Sequence, residues 1–569
     1  MFSIKNILKH LTTNILKTKF FKRAIFILLF CLSNSVSHAQ IPICKWVQTA
    51  GGSQGLNVKF VQKMAKDSKG NIFVAGYFYG PDLIVGIDTF YNSGASQQIY
   101  IAKYDSNGSV LWSKSAGGPY TDLVTGLLID ANDNVYLAGN FAGPEIHFDT
   151  DTVFGNNASD GFIVKLDSAG RAIWIQVLTG SGPDMIHGIS FDPSGNLLLT
   201  GGLNSDSLIL NNNDTLFKDT FSTNTFILNM DTSGMILWGK NIHGDSGGEI
   251  ISSDLTGNIF VGGVYTSTLI IPGDTISNNS GLYFLKCDPV GNPLWVRGIQ
   301  AYGLHEFTDI AIDQSNNIYL HGIFDSDSLY FLTDTLINHG DIDVFLVKYE
   351  TTGNELWVKC FGGWSAELCN NISFSPTGLL YMTCSFKTPF LTIDSTHLIN
   401  NSLATYPDLF VAALDTSGQA LWAFNIGGKY GEDVGGIIAD SSGFYLAGTL
   451  AIPPVHFQNM LLTNHRGGDF FVSKWGDFPL SADLFYITDK KIDIFPNPVQ
   501  SVIKIKFSEE INGPVKLSLY NSLGKIVFEK TDFAKEYLSL DVHTLPNGFY
   551  FLRVNGKNNT FVKQFIITH

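Results

Sequence analysis

Charged residues make up only 15% of the 569-residue chain, and methionine and cysteine are sparse, at 7 and 6. So thin a supply of charge argues against a helical bundle, whose solvent-facing sides need it. With a formal net charge of −15, the chain also lacks the basic surface that nucleic acid demands, so no nucleic-acid partner is expected. There is no Cys-x-x-Cys and no Cys/His pair at zinc spacing, which leaves a structural metal without support. Also absent are a Gly-x-Ser-x-Gly elbow, His-Glu-x-x-His, a phosphate-binding Gly loop with Lys, and a recognisable Ser/His/Asp set. The chain therefore reads as neither an enzyme nor a cofactor carrier.

What is present favours β structure: 57 Gly, 43 Phe and abundant Thr and Ile. At the start, Lys5, Lys9, Lys17, Lys19, Lys22 and Arg23 precede the apolar run 24–32 and then Ser37-His38-Ala39, with no acid among them. That order predicts a secretory signal peptide, residues 1–39, cleaved after Ala39. The apolar run is about half of the roughly 20 residues a spanning helix needs. Cys31 follows Phe30 rather than a small residue, which argues against a lipoprotein. Losing the leader's cations makes the mature chain more acidic still. The acidity lies upstream, because residues 481–569 hold 11 Lys plus Arg against 9 Asp plus Glu.

Trp46, Trp112, Trp174, Trp238, Trp295, Trp357 and Trp422 recur in matching contexts, at intervals of 66, 62, 64, 57, 62 and 65 residues. They mark seven copies of one unit. Around Trp112 and Trp174 it runs Gly-Gly, VTGLLID, the turn ANDN, VYLAGNF, a variable segment, DGFIVKLD, SAGR and Trp. Alternating apolar residues predict four strands. Turns such as DSKGN, DANDN and DPSGN carry an Asp cap and a Gly or Asn for positive φ, which is hairpin chemistry. A calcium loop is not supported, since the Asp-x-Asp-x-Asp-Gly spacing and its closing acid are missing. One four-stranded unit cannot cover both its faces, whereas seven arranged radially can. The last unit stops at DFFVSKW without its Trp strand, and the chain begins with an orphan Trp strand, ICKWVQTAGG. The first strand is thus expected to complete the last sheet and close the ring.

These residues resemble the bacterial seven-bladed β-propeller repeat found in many exported proteins, through Gly-Gly, Asp-x-x-Gly-Asn, Ala-Gly, Phe-x-x-Lys-x-Asp and Trp, over about residues 43–475. Repeat 6 departs most, with SPTGL at its first turn and Thr383-Cys384 in place of Ala-Gly. After Trp475 the period ends and a shorter β region begins. It resembles the type A sorting domain of the type IX secretion system in Pro496-Asn497-Pro498, Gly524-Lys525, Leu545-Pro546, Gly548, Tyr550 and Lys563. The resemblance implies passage to the periplasm of a Gram-negative bacterium, transfer across its outer membrane, and commonly removal of the domain with attachment to surface lipopolysaccharide. Its pattern of strands suits a small Ig-like β-sandwich. The expected layout is all-β: leader 1–39, seven-bladed propeller 40–478, linker 479–489 and sorting domain 490–569.

Within the propeller, Asp122, Asp184, Glu249, Glu306, Glu367 and Asp433 fall near the starts of the innermost strands, so a ring of acids at one channel mouth is a candidate site for cations or a basic peptide. The competing reading has these acids capping backbone amides near the Gly-Gly turn. Five cysteines outlast the leader, and Cys369 and Cys384 fall on neighbouring strands of one hairpin as a candidate disulfide. His187, His243, His305 and His321 occupy different registers, and His147 and His456 lie in non-adjacent repeats, so no histidine metal site is expected. Asp151-Thr152, Asp214-Thr215, Asp274-Thr275 and Asp334-Thr335 look like bacterial O-glycosylation acceptors. The leading functional expectation is a non-catalytic surface or secreted scaffold that binds glycan or protein. Its alternatives are a polysaccharide hydrolase or lyase with a site in the channel, and a purely structural surface component.

Overall fold

The computed structural model describes residues 41–568 apart from 54–57, 93–95, 149–150, 157, 211–214, 220–222, 272–273, 278–279, 403–405, 458–459, 463–467, 477–491, 508–513, 522–525, 534–536 and 556–559. The expected signal peptide and linker lie outside the described residues. Those described form strands and turns with no helix, so no helix among them is long and apolar enough to cross a membrane.

Repeats 1 to 6 each contribute four antiparallel strands in chain order, and repeat 7 contributes three. Repeat 2 is typical: Asp122–Ile129, Val135–Ala142, Ser159–Leu166 and Ala172–Leu178. The second and third strands are almost wholly buried, because both faces are covered by neighbouring sheets. Core clusters accordingly lie between successive repeats: Phe73 and Ile99 of repeat 1 share one with Leu137 and Phe162 of repeat 2. The strand Ile43–Ala50 pairs antiparallel with Asp469–Gly476 of repeat 7, from Ile43 opposite Gly476 to Ala50 opposite Phe470.

The expected turns form as hairpin caps. Asp67 Oδ1 accepts from the Lys69 and Asn71 amides at 3.0 and 2.8 Å, and Gly70 takes φ 82°. In ANDN the positive φ falls on Asp133. In SPTGL, Ser375 Oγ replaces the Asp cap by accepting from the Leu379 amide at 3.0 Å.

Each conserved-register tryptophan reaches into the next repeat. The indole Nε1 of Trp46, Trp112, Trp174 and Trp357 donates to the carbonyls of Ser106, Ser168, Thr232 and Thr416, at 3.1, 3.1, 3.2 and 3.3 Å. The ring covers that turn's glycine so closely that a Cβ on Gly108 would meet Trp46 Cε3 at 2.9 Å. The variable segments also fold, into short hairpins such as Glu145–Phe148 with Asp151–Phe154. Their edges bond to the last strand of the preceding repeat, as His147 does to Gly117 and His456 to Gly427.

The junction of repeats 7 and 1 carries the same set of contacts. Trp46 holds the repeat 1 turn, Gly51 pairs with Ile84 of the repeat 1 hairpin, and the Lys59 amide donates to Gly468 O at 2.9 Å. The last of these matches the Glu432 amide to Pro407 O at the preceding junction. One core joins Val61, Tyr100 and Ala50 with Ala447, Phe470 and Val472.

The C-terminal strands form a three-stranded sheet (Ile492–Phe495, Val502–Phe507, Tyr537–Asp541) and a four-stranded one (Ile526–Phe533, Pro514–Asn521, Gly548–Asn555, Thr560–Ile567) over a shared core. Asn497 Oδ1 accepts from the Ile566 amide, and Val499 exchanges backbone hydrogen bonds with the same strand. The Pro-Asn-Pro segment thus covers part of the terminal strand's outer edge. Tyr550 donates its hydroxyl to Pro546 O at 2.8 Å and stacks on Phe565. Lys563 sits opposite Leu552 on the last strand, while Gly524 and Lys525 lie outside the described residues.

Gly108 and Gly195 share a positive φ, 88° and 83°, but only Gly108 lies under a tryptophan. Gly195→Ala is expected to cost about 1 kcal/mol for the backbone alone, and Gly108→Ala about 2–3 kcal/mol because Trp46 must shift as well. Urea unfolding followed by tryptophan fluorescence measures both; equal losses would show that the indole contributes nothing to the junction.

Candidate functional site

Every first strand carries a β-bulge at one register, between Val61 and Lys63, Val124 and Gly126, Ile186 and Gly188, Gly248 and Ile250, Phe307 and Asp309, Cys369 and Asn371, and Val434 and Gly436. A bulge leaves one residue without an opposite number and turns its side chain out of the ladder. These residues are Gln62, Thr125, His187, Glu249, Thr308, Asn370 and Gly435. All but Gly435 line a cavity of about 750 Å³ walled by the first strands of the seven repeats.

Five of the bulge side chains bond the following repeat. Gln62 Oε1 accepts from the Val124 amide at 3.1 Å, and His187 Nδ1 bonds Gly248 O at 2.9 Å, which places its proton on Nδ1. Glu249 Oε2 accepts from the Phe307 amide at 2.8 Å. Thr308 Oγ1 meets Cys369 Sγ at 3.3 Å, and Asn370 Nδ2 donates to Val434 O and Gly435 O. Gly435 is bare for a steric reason: a Cβ there would lie 2.3 Å from Val61 Cβ.

The six acids expected to ring one mouth divide into two sets. Glu249, Glu306 and Asp433 line the cavity, joined by Asp309, which sequence reading missed. Asp122, Asp184 and Glu367 do not; they are fully buried between sheets. Asp122 Oδ2 accepts from the Gly118 amide at 2.8 Å, Asp184 Oδ1 from the Asn204 and Ser205 amides, and Glu367 from the Gly363 and Thr388 amides. The single ring is therefore corrected: Glu306 and Asp433 sit one position beyond the register of Asp122, and one step along a strand turns a side chain to the opposite face. The buried set serves the amide-capping role near the Gly-Gly turns.

Burial raises the pKa of all four cavity carboxyls. Three of them are engaged with backbone amides: Glu249 as above, Asp309 Oδ2 with Ile372 N at 2.9 Å, and Asp433 Oδ1 with Val434 N at 2.9 Å. His187 is held below its usual pKa by burial, so it is neutral at pH 7. The cavity wall thus combines hydrogen-bonding groups with four carboxyls and Lys63.

Cys369 and Cys384 are register partners across one hairpin, yet the expected disulfide is not formed and both are free thiols. Cys369 Sγ donates to Gly322 O at 3.3 Å, and Cys384 Sγ faces His321 Nε2 at 3.8 Å. His339, absent from the sequence-derived candidates, meets Asp343 and Cys360. Of the Asp-Thr pairs, Thr152, Thr275 and Thr335 are exposed on the hairpins and Thr215 is half-buried, while Asp214 lies outside the described residues.

Burial between sheets lifts Asp122 to about 7, above its unfolded value near 3.8. A raised carboxyl favours folding below the unfolded pKa, and that contribution is lost as pH climbs through about 4 to 7. Asp122→Asn is therefore expected to stabilise the protein at pH 8 by about 2–4 kcal/mol relative to its effect at pH 4. Thermal unfolding at the two pH values measures this; a pH-independent effect would mean that Asp122 is ionised in the folded state.

Residues 493–568 match the family described as secretion system C-terminal sorting domain. Over 537 aligned residues, 75% of this chain, the sequence is 25% identical to an uncharacterized WD repeat-containing protein of Acanthamoeba polyphaga mimivirus; the chain spans 38% of that protein's length. Among solved structures, a Dyadobacter fermentans protein of unknown function aligns with 76% of this chain and 99% of its own at 10% identity and a TM-score of 0.35. A Synechocystis apocarotenoid oxygenase mutant aligns with 68% and 94% at 10% identity and a TM-score of 0.32. The repeated antiparallel sheets, together with the WD repeat-containing relative, fit a repeat β-propeller. The chain ends in a sorting domain addressed to the type IX secretion machinery, which marks it as a protein exported by that route.

Proposed function

We propose that this protein is a non-catalytic binding scaffold, a seven-bladed propeller closed by its N-terminal strand, delivered to the cell surface or medium by type IX secretion. Its C-terminal Ig-like module is the export signal, and the mature part is attached to surface lipopolysaccharide or released. Export rests on the sorting domain at residues 493–568. Ring closure is supported by the Ile43–Ala50 pairing and by the shared contacts at the junction of repeats 7 and 1.

The observation that carries the binding role is the cavity walled by seven first strands and lined with hydrogen-bonding groups, among them four carboxyls and Lys63. Closely spaced hydrogen-bond donors and acceptors on its wall suit a polyhydroxylated ligand such as a glycan. Three cavity carboxyls already accept backbone hydrogen bonds, which supports a binding role for this wall. Exposed apolar side chains on separate hairpins, including Ile87, Tyr91, Phe154, Phe217 and Phe390, offer further contacts for a protein partner.

In the native bacterium, removing residues 490–569 is expected to retain the protein inside the cell, while the full chain reaches the surface or medium; fractionation with immunoblotting decides it, and equal export of both would refute the route. On a glycan array the full protein is expected to retain ligands at least fivefold more weakly after Glu306→Ala. Release of shortened glycans in a digestion assay would instead favour a polysaccharide hydrolase or lyase. Silent arrays with altered surface architecture on deletion would favour a structural component.

A further inference from the structure

We infer that repeat 5 carries a site for one divalent transition metal of the zinc class, formed by His339, Asp343 and Cys360. Asp343 opens the third strand of the repeat, and Cys360 lies on the fourth, opposite Phe345. His339 ends the preceding hairpin segment, four residues before Asp343. Asp343 Oδ2 lies 2.7 Å from His339 Nδ1 and 3.3 Å from Cys360 Sγ, and Sγ lies 3.7 Å from Nδ1. One nitrogen, one oxygen and one sulfur therefore converge within 4.8 Å. Ligand atoms at about 2.0–2.3 Å from a tetrahedral ion stand roughly 3.3–3.8 Å apart. Both distances from Cys360 already fit, and the His339 ring, with 54% of its side chain exposed, has room to swing outward from Asp343. That exposure leaves a fourth position open to water.

The protein supplies its own control. In repeat 6 the buried Asp408 faces the same structural demand, and two amides meet it: the Asn401 backbone and side chain donate to Oδ2 at 2.9 and 3.1 Å, and Asn425 Nδ2 at 2.8 Å. Asn425 sits opposite Phe410 as Cys360 sits opposite Phe345. In repeat 2 the Asn156 backbone amide donates to Asp160 Oδ2, as the His339 backbone amide does to Asp343 Oδ2 in repeat 5. In repeat 6 side-chain amides complete the set, and they bind no zinc-class ion. Among the described residues, repeat 5 alone sets a histidine and a cysteine against this carboxylate, and a thiol is a poor hydrogen-bond donor to substitute for an amide. Packing of the sheet therefore does not account for this pair.

The proton balance is simple. On binding, Cys360 loses its thiol proton to solvent, and the ring proton that His339 Nδ1 presents to Asp343 Oδ2 is exchanged through solvent for one on Nε2, which frees Nδ1 to ligate. Because ligation releases the thiol proton, binding tightens as pH rises; Asp343, Glu367 and His339 are the titratable groups that face the thiol.

The full chain, stripped with chelator and kept reduced, is titrated with Co²⁺ as the probe. One equivalent should bind with a thiolate-to-cobalt charge-transfer band, displaced by Zn²⁺, with affinity rising up to tenfold per pH unit between pH 6 and 8. The double variant His339→Asn/Cys360→Asn, which installs the repeat 6 solution, should keep the metal-free thermal midpoint and weaken binding at least a hundredfold. Cys369→Ser/Cys384→Ser should leave the spectrum intact. A missing thiolate band, or one that survives the double variant, would overturn the site. If the double variant does not fold, Cys360→Ser alone is read by the same band and by loss of the Zn²⁺-induced rise in thermal midpoint seen in the unaltered protein.

Discussion

The molecule depends on a clasp between successive sheets. A tryptophan on the last strand of one repeat donates its indole N–H to a turn carbonyl in the next, and a lysine on the third strand frequently donates to the same oxygen. Ser168 O receives both Trp112 and Lys103, Thr232 O both Trp174 and Lys165, and Thr416 O both Trp357 and Lys348. Lys103 also pairs with Asp67 at 3.1 Å, the cap of its own repeat's first turn. The lysine thereby couples the turn of one sheet to the turn of its neighbour, and the indole fills the space that a Gly at positive φ leaves open.

With the outer turns fixed in this way, the inner strands are forced together at a spacing their bulges can bridge. A bulge exposes backbone groups that the ladder does not satisfy, and such groups are costly when buried. Side chains from the preceding repeat meet them: Gln62, His187, Glu249 and Asn370 are committed to that purpose. These bonds tie the cavity wall together from one repeat to the next.

The tryptophan period, the Asp-capped turns and the motifs after Pro496 were legible because each is a local requirement repeated in the chain. A turn needs its cap and its Gly wherever the turn sits. The bulges were not legible. Their residues range from Gln62 and Thr125 to His187 and Gly435 and share no chemistry, since a bulge asks only for one extra residue. That extra residue decides which acids face the cavity, so Asp122 and Glu306 looked equivalent in sequence and point different ways. The meeting of His339 with Cys360 escaped for a similar reason: a strand and a turn intervene, and strand pairing alone brings them together.

By itself, then, the sequence determined the repeat, its strand content, its turn chemistry and the export module, all of which depend on residues near one another in the chain. Only the tertiary structure decided which side chains share a space. Strand register and bulge position assign each residue to the cavity, to the seam between sheets or to the His339 cluster, and both emerge from contacts made between separate repeats.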